Sequence, residues 1–270
     1  MQFKQTFDTY VCKFCGEDFE AATLRAKPFQ PEDFSGNTQG GFISMDTEQS
    51  ETRTRILEAA AAIFAEHGYA ATTIRQICSQ AQVNLAAVNY HFGGKEGLYR
   101  ETIRFVRARA YERYPITYGL SADASPEQQL RAFIRSFLLR TSFDEANHDF
   151  GTIVMREMVE PTAALDMMLD EGIRSMFGQL VGIVQKLLPE DMDAETILAS
   201  ARSIISQCLF YLFSRSVISR MSPEEKMGQE DLDRVTEQIL LFSLSALHGI
   251  STGCQSCNPA KSNFQDPNRP

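Results

Sequence analysis

An all-α protein is what this sequence of 270 residues predicts, on three observations. Apolar residues recur three and four positions apart along most of the stretch from Thr52 to His248. No segment alternates apolar and polar residues with the period of two that a half-buried strand needs. Pro115, Pro126, Pro161, Pro189 and Pro223 stand at the edges of the periodic stretches, where proline starts or stops a helix. The composition, 43% hydrophobic and 23% charged, is enough for a packed core. No uninterrupted apolar run reaches the roughly 18 residues of a membrane span, and the N-terminus lacks the basic start and apolar stretch of a secretory signal, so a cytoplasmic protein is expected.

Residues 1–44 mix Gly, Pro, Gln, Phe and charge without a period. They read as an irregular extension, poorly ordered through residue 49, with Met45 resembling a natural start. From Thr52, Ile56, Ala60, Ile63 and Phe64 form one apolar stripe, which Gly68 stops, with Tyr69 placed to fold back on it. A short second helix starts at Thr73, which has capping-box spacing to Gln76. After a break at Gln82, Asn84 is a good N-cap for a third helix, and Val83 and Val88 stand at staple spacing across it. Gly93-Gly94 ends that helix, and a fourth runs from Lys95 to Tyr114. Further helices are expected over Pro126–Thr141, Asp149–Val159, Pro161–Leu188, Asp193–Met221 and Leu232–His248, followed by a polar tail over 251–270.

The formal net charge of −9 argues at first against nucleic acid, but it is unevenly spread. Residues 115–270 carry −8, whereas residues 45–114 carry +1 and contain Arg100, Arg104, Arg107, Arg109 and Arg113. A nucleic-acid contact is expected there. Four of the six cysteines form two C-x-x-C pairs, Cys12 with Cys15 and Cys254 with Cys257; Cys78 and Cys208 sit inside apolar patterns and read as buried thiols. The two pairs have zinc-knuckle spacing, but unliganded thiols on the tails are the preferred reading. His67, His91, His148 and His248 are scattered, there is no G-x-S-x-G, and Gly93-Gly94-Lys95 lacks the spacing of a nucleotide-binding loop, so an enzyme is not expected.

Two short helices joined by a tight turn and braced by a third make a helix-turn-helix, here Thr73 to Phe92. Its second helix has to enter a major groove about 12 Å wide, hardly wider than a helix with side chains. Ala86 and Ala87 would let the backbone approach and touch thymine methyls, beside Leu85. Asn84 and Asn89 can bond base edges or phosphates; Tyr90 and His91 can donate to phosphate oxygens. Thr72, Thr73 and Arg75 suit the flanking backbone, and Lys95, opening the next helix, suits a phosphate.

The stretch T-R-I-L-E-A-A-x-x-x-F-A-E-H-G-Y-x-x-T-T-I-R-Q-I-C, followed by V-N-L-A-A-V-N-Y-H-F-G-G-K-E-G-L-Y, resembles the DNA-binding domain of TetR-type (TetR/AcrR) transcriptional regulators over about residues 50–110. Gln82 departs from the glycine common in that turn, and a slightly different turn is expected. Phe150–Asp166, F-G-T-I-V-M-R-E-M-V-E-P-T-A-A-L-D, is similar to the CecR-like subgroup. The resemblance implies an all-α chain: an N-terminal three-helix DNA-binding domain, then a helical effector-binding and dimerisation domain over 115–250. It implies a homodimer on a pseudo-palindromic operator, released by a small-molecule effector, with no cofactor and no resident metal. The last two long helices would pair with their copies, and Ile197, Ile204, Ile205, Cys208, Leu209, Leu212 and Phe213 would offer more apolar surface than one neighbouring helix needs. Phe150, Met155, Met158, Met176, Phe177 and Phe210 are the candidates for touching the effector, since methionines suit an adaptable apolar pocket. The competing readings are a helical protein-interaction scaffold and a zinc- or thiol-responsive regulator working through Cys12, Cys15, Cys254 and Cys257.

Overall fold

The computed structural model describes residues 43–224 and 227–253, and among these every regular element is helical. The expectations for residues 1–42 and for the end of the polar tail fall outside the described residues. So does the zinc or thiol reading of the terminal pairs, because Cys12, Cys15, Cys254 and Cys257 all lie there.

Helix α1, Ile43–Ala71, begins inside the expected irregular extension, about nine residues earlier than the sequence pattern suggests. Gly68, with φ 76° and ψ 170°, breaks it where the pattern stops. The break turns Tyr69 back against Phe64 and Tyr99, with ring centroids 6.3 and 4.9 Å away. Helix α2, Ile74–Ala81, opens with a reciprocal cap: the Gln76 amide N–H donates to the Thr73 hydroxyl (3.3 Å), and the Thr73 amide N–H donates to Gln76 Oε1 (2.8 Å). Helix α3, Leu85–Phe92, is capped by Asn84, whose Oδ1 accepts from the Ala87 amide at 2.9 Å, and it ends at a left-handed Gly93. Helix α4, Lys95–Arg113, follows at once and stops before Pro115.

The α2–α3 turn keeps a left-handed residue even without glycine. Gln82 sits at φ 54° and ψ 47°, its amide donating back into the last turn of α2. A side chain in that region costs about 1–2 kcal/mol. Gln82→Gly is therefore expected to raise stability by about 0.5–1 kcal/mol after allowing for the freer unfolded chain. A higher urea midpoint at unchanged slope is the readout; an unchanged or lower midpoint refutes the strain.

The remaining helices are less uniform than their sequence patterns. Helix α5, Pro126–Leu138, runs into a π-helical turn, Leu139–Phe143. After a short 3₁₀ turn comes α6, His148–Val159. The helix expected over Pro161–Leu188 consists of α7, Ala164–Met168, a second π turn, Leu169–Ile173, and α8, Arg174–Leu187. The one expected over Asp193–Met221 divides at Ser214 into α9, Ala194–Phe213, and α10, Arg215–Met221. No proline or glycine marks the first π turn or the Ser214 break, and only the second π turn holds a glycine, Gly172. Each adds or loses about one residue per turn, too little to erase an apolar period over a short window. Helix α11, Gln229–Ser251, closes the bundle.

Two cores form. One unites α1–α4 with Phe150, Ile153 and Val154 of α6, Ala164, Met167 and Met168 of α7, and Leu212 of α9. The other joins α5, α8, α9 and α11. The sequence boundary near residue 110 is thus not a packing boundary, since α6 lies directly on α1 and α4. Helix α9 amends one expectation: by length and composition it is apolar enough to cross a membrane. Here its Ile197, Leu198, Ala201, Ile204, Cys208 and Leu212 are buried among the other helices. The thiols of Cys78 and Cys208 are both buried, and burial pushes Cys208 up to about 12.

Candidate nucleic-acid interface and effector cavity

Helix α3 is amphipathic in an unusual sense. Val88 and Phe92 are buried against α1, α2 and α4, while Leu85, Ala86, Asn89 and Tyr90 form the opposite, exposed face at i, i+1, i+4 and i+5. Two large side chains stay out on a helix of only two turns, Leu85 at 47% and Tyr90 at 76% exposure. Ala87 turns partly inward onto the core, and His91 packs its half-buried ring edge-on to Tyr90, 5.1 Å between centroids. Asn84 spends its Oδ1 on the cap and keeps its amide N–H₂ for other partners. Thr73 and Arg75 are exposed at the start of α2, and Arg75 makes no ion pair among the described residues.

Two of the expected backbone-contacting residues are otherwise engaged. Thr72 is buried, its hydroxyl donating to the Gly68 carbonyl at 2.8 Å, so that side chain closes the α1 break rather than facing a duplex. Lys95 donates to the Ala70 carbonyl at 3.3 Å and lies over the Tyr69 ring, 4.5 Å from its centroid. Part of its role is therefore to tie α4 to the end of α1.

The arginine run of α4 is not a free basic patch. Arg100 pairs with Glu96, Arg104 with Glu101 and Glu171, Arg107 with Glu171, Arg109 with Glu58 and Arg113 with Asp144. Two of the carboxylates, Glu171 of the second π turn and Asp144 of the loop after the first, lie outside residues 45–114 and so outside the local charge count. Glu171, held below the usual carboxylate range mainly by its hydrogen bond to Arg104, anchors the second π turn to α4.

Between α4, α5, α6, α8 and α9 lies a cavity of about 540 Å³, within the size range of small-molecule sites. Phe150, Met158, Met176 and Phe177 of the six expected effector contacts line it. Met155 does not; it packs against the first core. Phe210 does not either, for it points outward, half-exposed, next to the wall residue Leu209. Both π turns face the space, the first through Arg140 and Thr141, the second through Leu169, Gly172 and Ile173. The sequence reading missed the cavity's polar members, Arg107, Tyr111, Arg140, Thr141, Arg174 and Arg202. One signal was available: Arg140 falls on the same helical face as Phe133 and Phe137, where a charge is out of place.

The cavity and the N-terminal head, α1 to α4, are joined through two helices. Ile103, Arg107 and Tyr111 of α4 line the cavity, while the N-terminal end of the same helix packs on α3. On α6, Phe150, Val154 and Met158 face the cavity. From the same helix the Arg156 guanidinium donates to the Ala65 and Glu66 carbonyls of α1, at 2.9 and 2.7 Å. Glu157, only 1% exposed, accepts from the Tyr99 hydroxyl at 2.7 Å and from the Thr162 amide and hydroxyl at about 3.0 Å. Burial and this carboxylate together push the Tyr99 phenol far above its ordinary range, so it stays a donor at any working pH. Among the described residues no group of three or more His, Cys, Asp or Glu side chains is placed to hold a metal ion; Cys12, Cys15, Cys254 and Cys257 are not among those residues.

Residues 56–102 match the family described as bacterial regulatory proteins, tetR family, and residues 126–247 match the C-terminal domain of the HTH-type transcriptional dual regulator CecR. Together the two stretches take up more than half of the chain. The chain belongs to the TetR family. It is a DNA-binding transcriptional regulator and not an enzyme. It is similar to the dual regulator CecR of Shigella flexneri, 24% identical over 77% of this chain and 96% of that protein. It is also similar to the transcriptional repressor NicS of Pseudomonas putida, 27% identical over 64% of this chain and 81% of that one. The fold is that of a TetR-like transcriptional regulator from Rhodococcus sp. RHA1, with a TM-score of 0.53 and 16% identity over 73% of this chain and 96% of that structure. The tetR-family match, residues 56–102, spans most of α1, all of α2 and α3, and the start of α4.

Proposed function

We propose that this TetR-family chain is a homodimeric repressor that holds a pseudo-palindromic operator with two copies of α3 and releases it when a small molecule enters the cavity. The observation that carries the reading is that α4 and α6 each touch both the cavity and the head. A ligand that fits the cavity better in one head orientation than in the other shifts the equilibrium between them. DNA and ligand then weaken each other reciprocally, typically by a coupling of about 1–3 kcal/mol. In this division of labour residues 50–110 read the operator through Thr73, Arg75, Asn84, Leu85, Ala86, Ala87, Asn89, Tyr90, His91 and Lys95, and residues 115–250 hold the effector and the second copy. Such a regulator works in the cytoplasm, on the chromosome.

The support for dimerisation is not the set of residues the sequence suggested. Ile197, Ile204, Cys208 and Leu212 are buried in the chain's own core, and Ile205 and Leu209 line the cavity; of that set only Phe213 is exposed. Phe213 stands outside in a row the sequence reading did not assemble, with Phe210 of α9, Val217 and Met221 of α10, and Leu241, Phe242 and Ile250 of α11. Large apolar side chains concentrated on neighbouring helices fit the centre of a four-helix interface with a second copy. Phe242→Glu is expected to shift the chain to monomer in sedimentation at micromolar concentration, without loss of helix content. Operator affinity should fall with it, because one head reads only half a site. A variant that sediments like the parent refutes this face as the interface. The repressor reading itself is tested by mobility shift on DNA flanking the gene. A specific shift that weakens steeply with salt supports it; binding no better than to random duplex overturns it.

A further inference from the structure

The cavity wall has a charge pattern that its apolar character hides. Its charged members are Arg107, Arg140, Arg174 and Arg202, and no acidic side chain is among them. Three of the four are spoken for: Arg107 by Glu171 at 3.5 Å, Arg174 by Asp170 at 3.3 Å, and Arg202 by contacts of its own. Arg140 differs. It is 1% exposed, the largest of the fully buried side chains, and no carboxylate pairs with it among the described residues. Its Nη1 donates to the Tyr114 carbonyl at 2.6 Å, its guanidinium lies over the Tyr111 ring at 4.2 Å, and its Nη2 has no hydrogen-bond partner. Burial pulls it below the ordinary guanidinium range. A buried cation with a spare donor and no counter-charge is costly unless something supplies the missing anion. It also sits on the π turn Leu139–Phe143, and π turns of this kind recur at functional sites.

We infer that the effector is an organic acid: an apolar, aromatic or acyl body fills the space between Phe150, Met158, Met176 and Phe177, and its ionised carboxylate pairs with Arg140. This rests on the effector-cavity reading and adds to it the chemical class of the ligand. A planar carboxylate matches the fork of a guanidinium, and the pair would be shielded from water by the same walls that take the body. Tyr111, beneath the guanidinium and itself a wall residue, fixes the plane in which the fork presents its donors.

The test uses two fluorescent probes of one shape on the full chain. Anilinonaphthalene sulfonate carries an anionic head; phenylnaphthylamine is the same body without it. Arg140→Met is expected to weaken the sulfonate at least about tenfold, the worth of one charge-assisted hydrogen bond, and to leave the neutral probe nearly unchanged. Competition on the unsubstituted chain needs no variant and stands even if Arg140→Met folds poorly. Naphthoate should displace the sulfonate at least about tenfold better than methyl naphthoate, and better than naphthyl phosphate. Equal displacement by acid and ester, or stronger displacement by the phosphate, overturns the carboxylate assignment. If the neutral probe nonetheless binds and releases operator DNA, the cavity remains the effector site and only the ligand class falls. If neither probe binds, both readings fall.

Discussion

Tyr90→Ala is expected to weaken operator binding by about 10- to 100-fold while leaving the fold intact. The ring is 76% exposed, and its ring contact is with the half-buried His91 beside it. Removing it should therefore change stability by no more than about 0.5 kcal/mol. In a complex the same ring would lose a phosphate or groove contact in each copy of α3, and one contact of that kind is worth about 1–3 kcal/mol. Tyr90→Phe separates the two sources: a hydroxyl donating to phosphate is lost in both variants, whereas a ring packed in the groove survives in phenylalanine. Lys95→Ala is a poorer choice, since it also cuts the bond to the Ala70 carbonyl and the contact with Tyr69. Fluorescence anisotropy over a salt series is the measurement. If Tyr90→Ala binds like the parent at every salt concentration, α3 is not the element that meets DNA.

The second large effect is expected at Glu157. Its carboxylate is buried and accepts from three donors, the Tyr99 hydroxyl and the Thr162 amide and hydroxyl. Glu157→Ala strands all three and opens space behind them, a loss of about 2–4 kcal/mol in urea unfolding. Glu157→Gln keeps the shape and should cost less, because one amide oxygen can still accept from Tyr99. The more telling readout is coupling. Tyr99 belongs to α4, one turn beyond Lys95, and Glu157 belongs to the helix that lines the cavity. In the glutamine variant, effector and operator should each still bind, while the effector releases operator less completely. If release is as complete as in the parent at saturating effector, the Tyr99–Glu157 contact carries stability alone and the signal passes through other contacts of α4 and α6.

The features read correctly from sequence are those decided within a few residues. The Gly68 break, the Thr73–Gln76 box, the Asn84 cap and the inward Val88 depend on contacts three to five positions apart, and a linear reading holds both partners in view. The outward face of α3 follows from them. The features read incorrectly turn on distant partners. The five arginines of α4 look like a basic patch until Glu58, Asp144 and Glu171 are folded against them. Thr72 looks like a phosphate donor until the α1 break brings the Gly68 carbonyl to it.

The effector domain shows the limit most plainly. Met and Phe at helical spacing mark a buried face, but whether that face meets a neighbour helix or an empty space depends on how five helices cross. Met158 and Met155 are three residues apart on one helix, and only the first reaches the cavity. The same holds for α9, where Phe210 is turned outward one residue after Leu209 is turned in. A π turn adds one residue and swings the following face by roughly a third of a turn. By itself the amino-acid order determined that the segments are helical, where the short helices α2 and α3 start and stop, and that a slim two-turn helix is offered to the outside. Only the tertiary structure decided which charges are cancelled, which apolar side chains surround a void, and that one arginine there has no acid beside it among the described residues. Side-chain pairing across helices is set by packing geometry, and that geometry has no local signature in the chain.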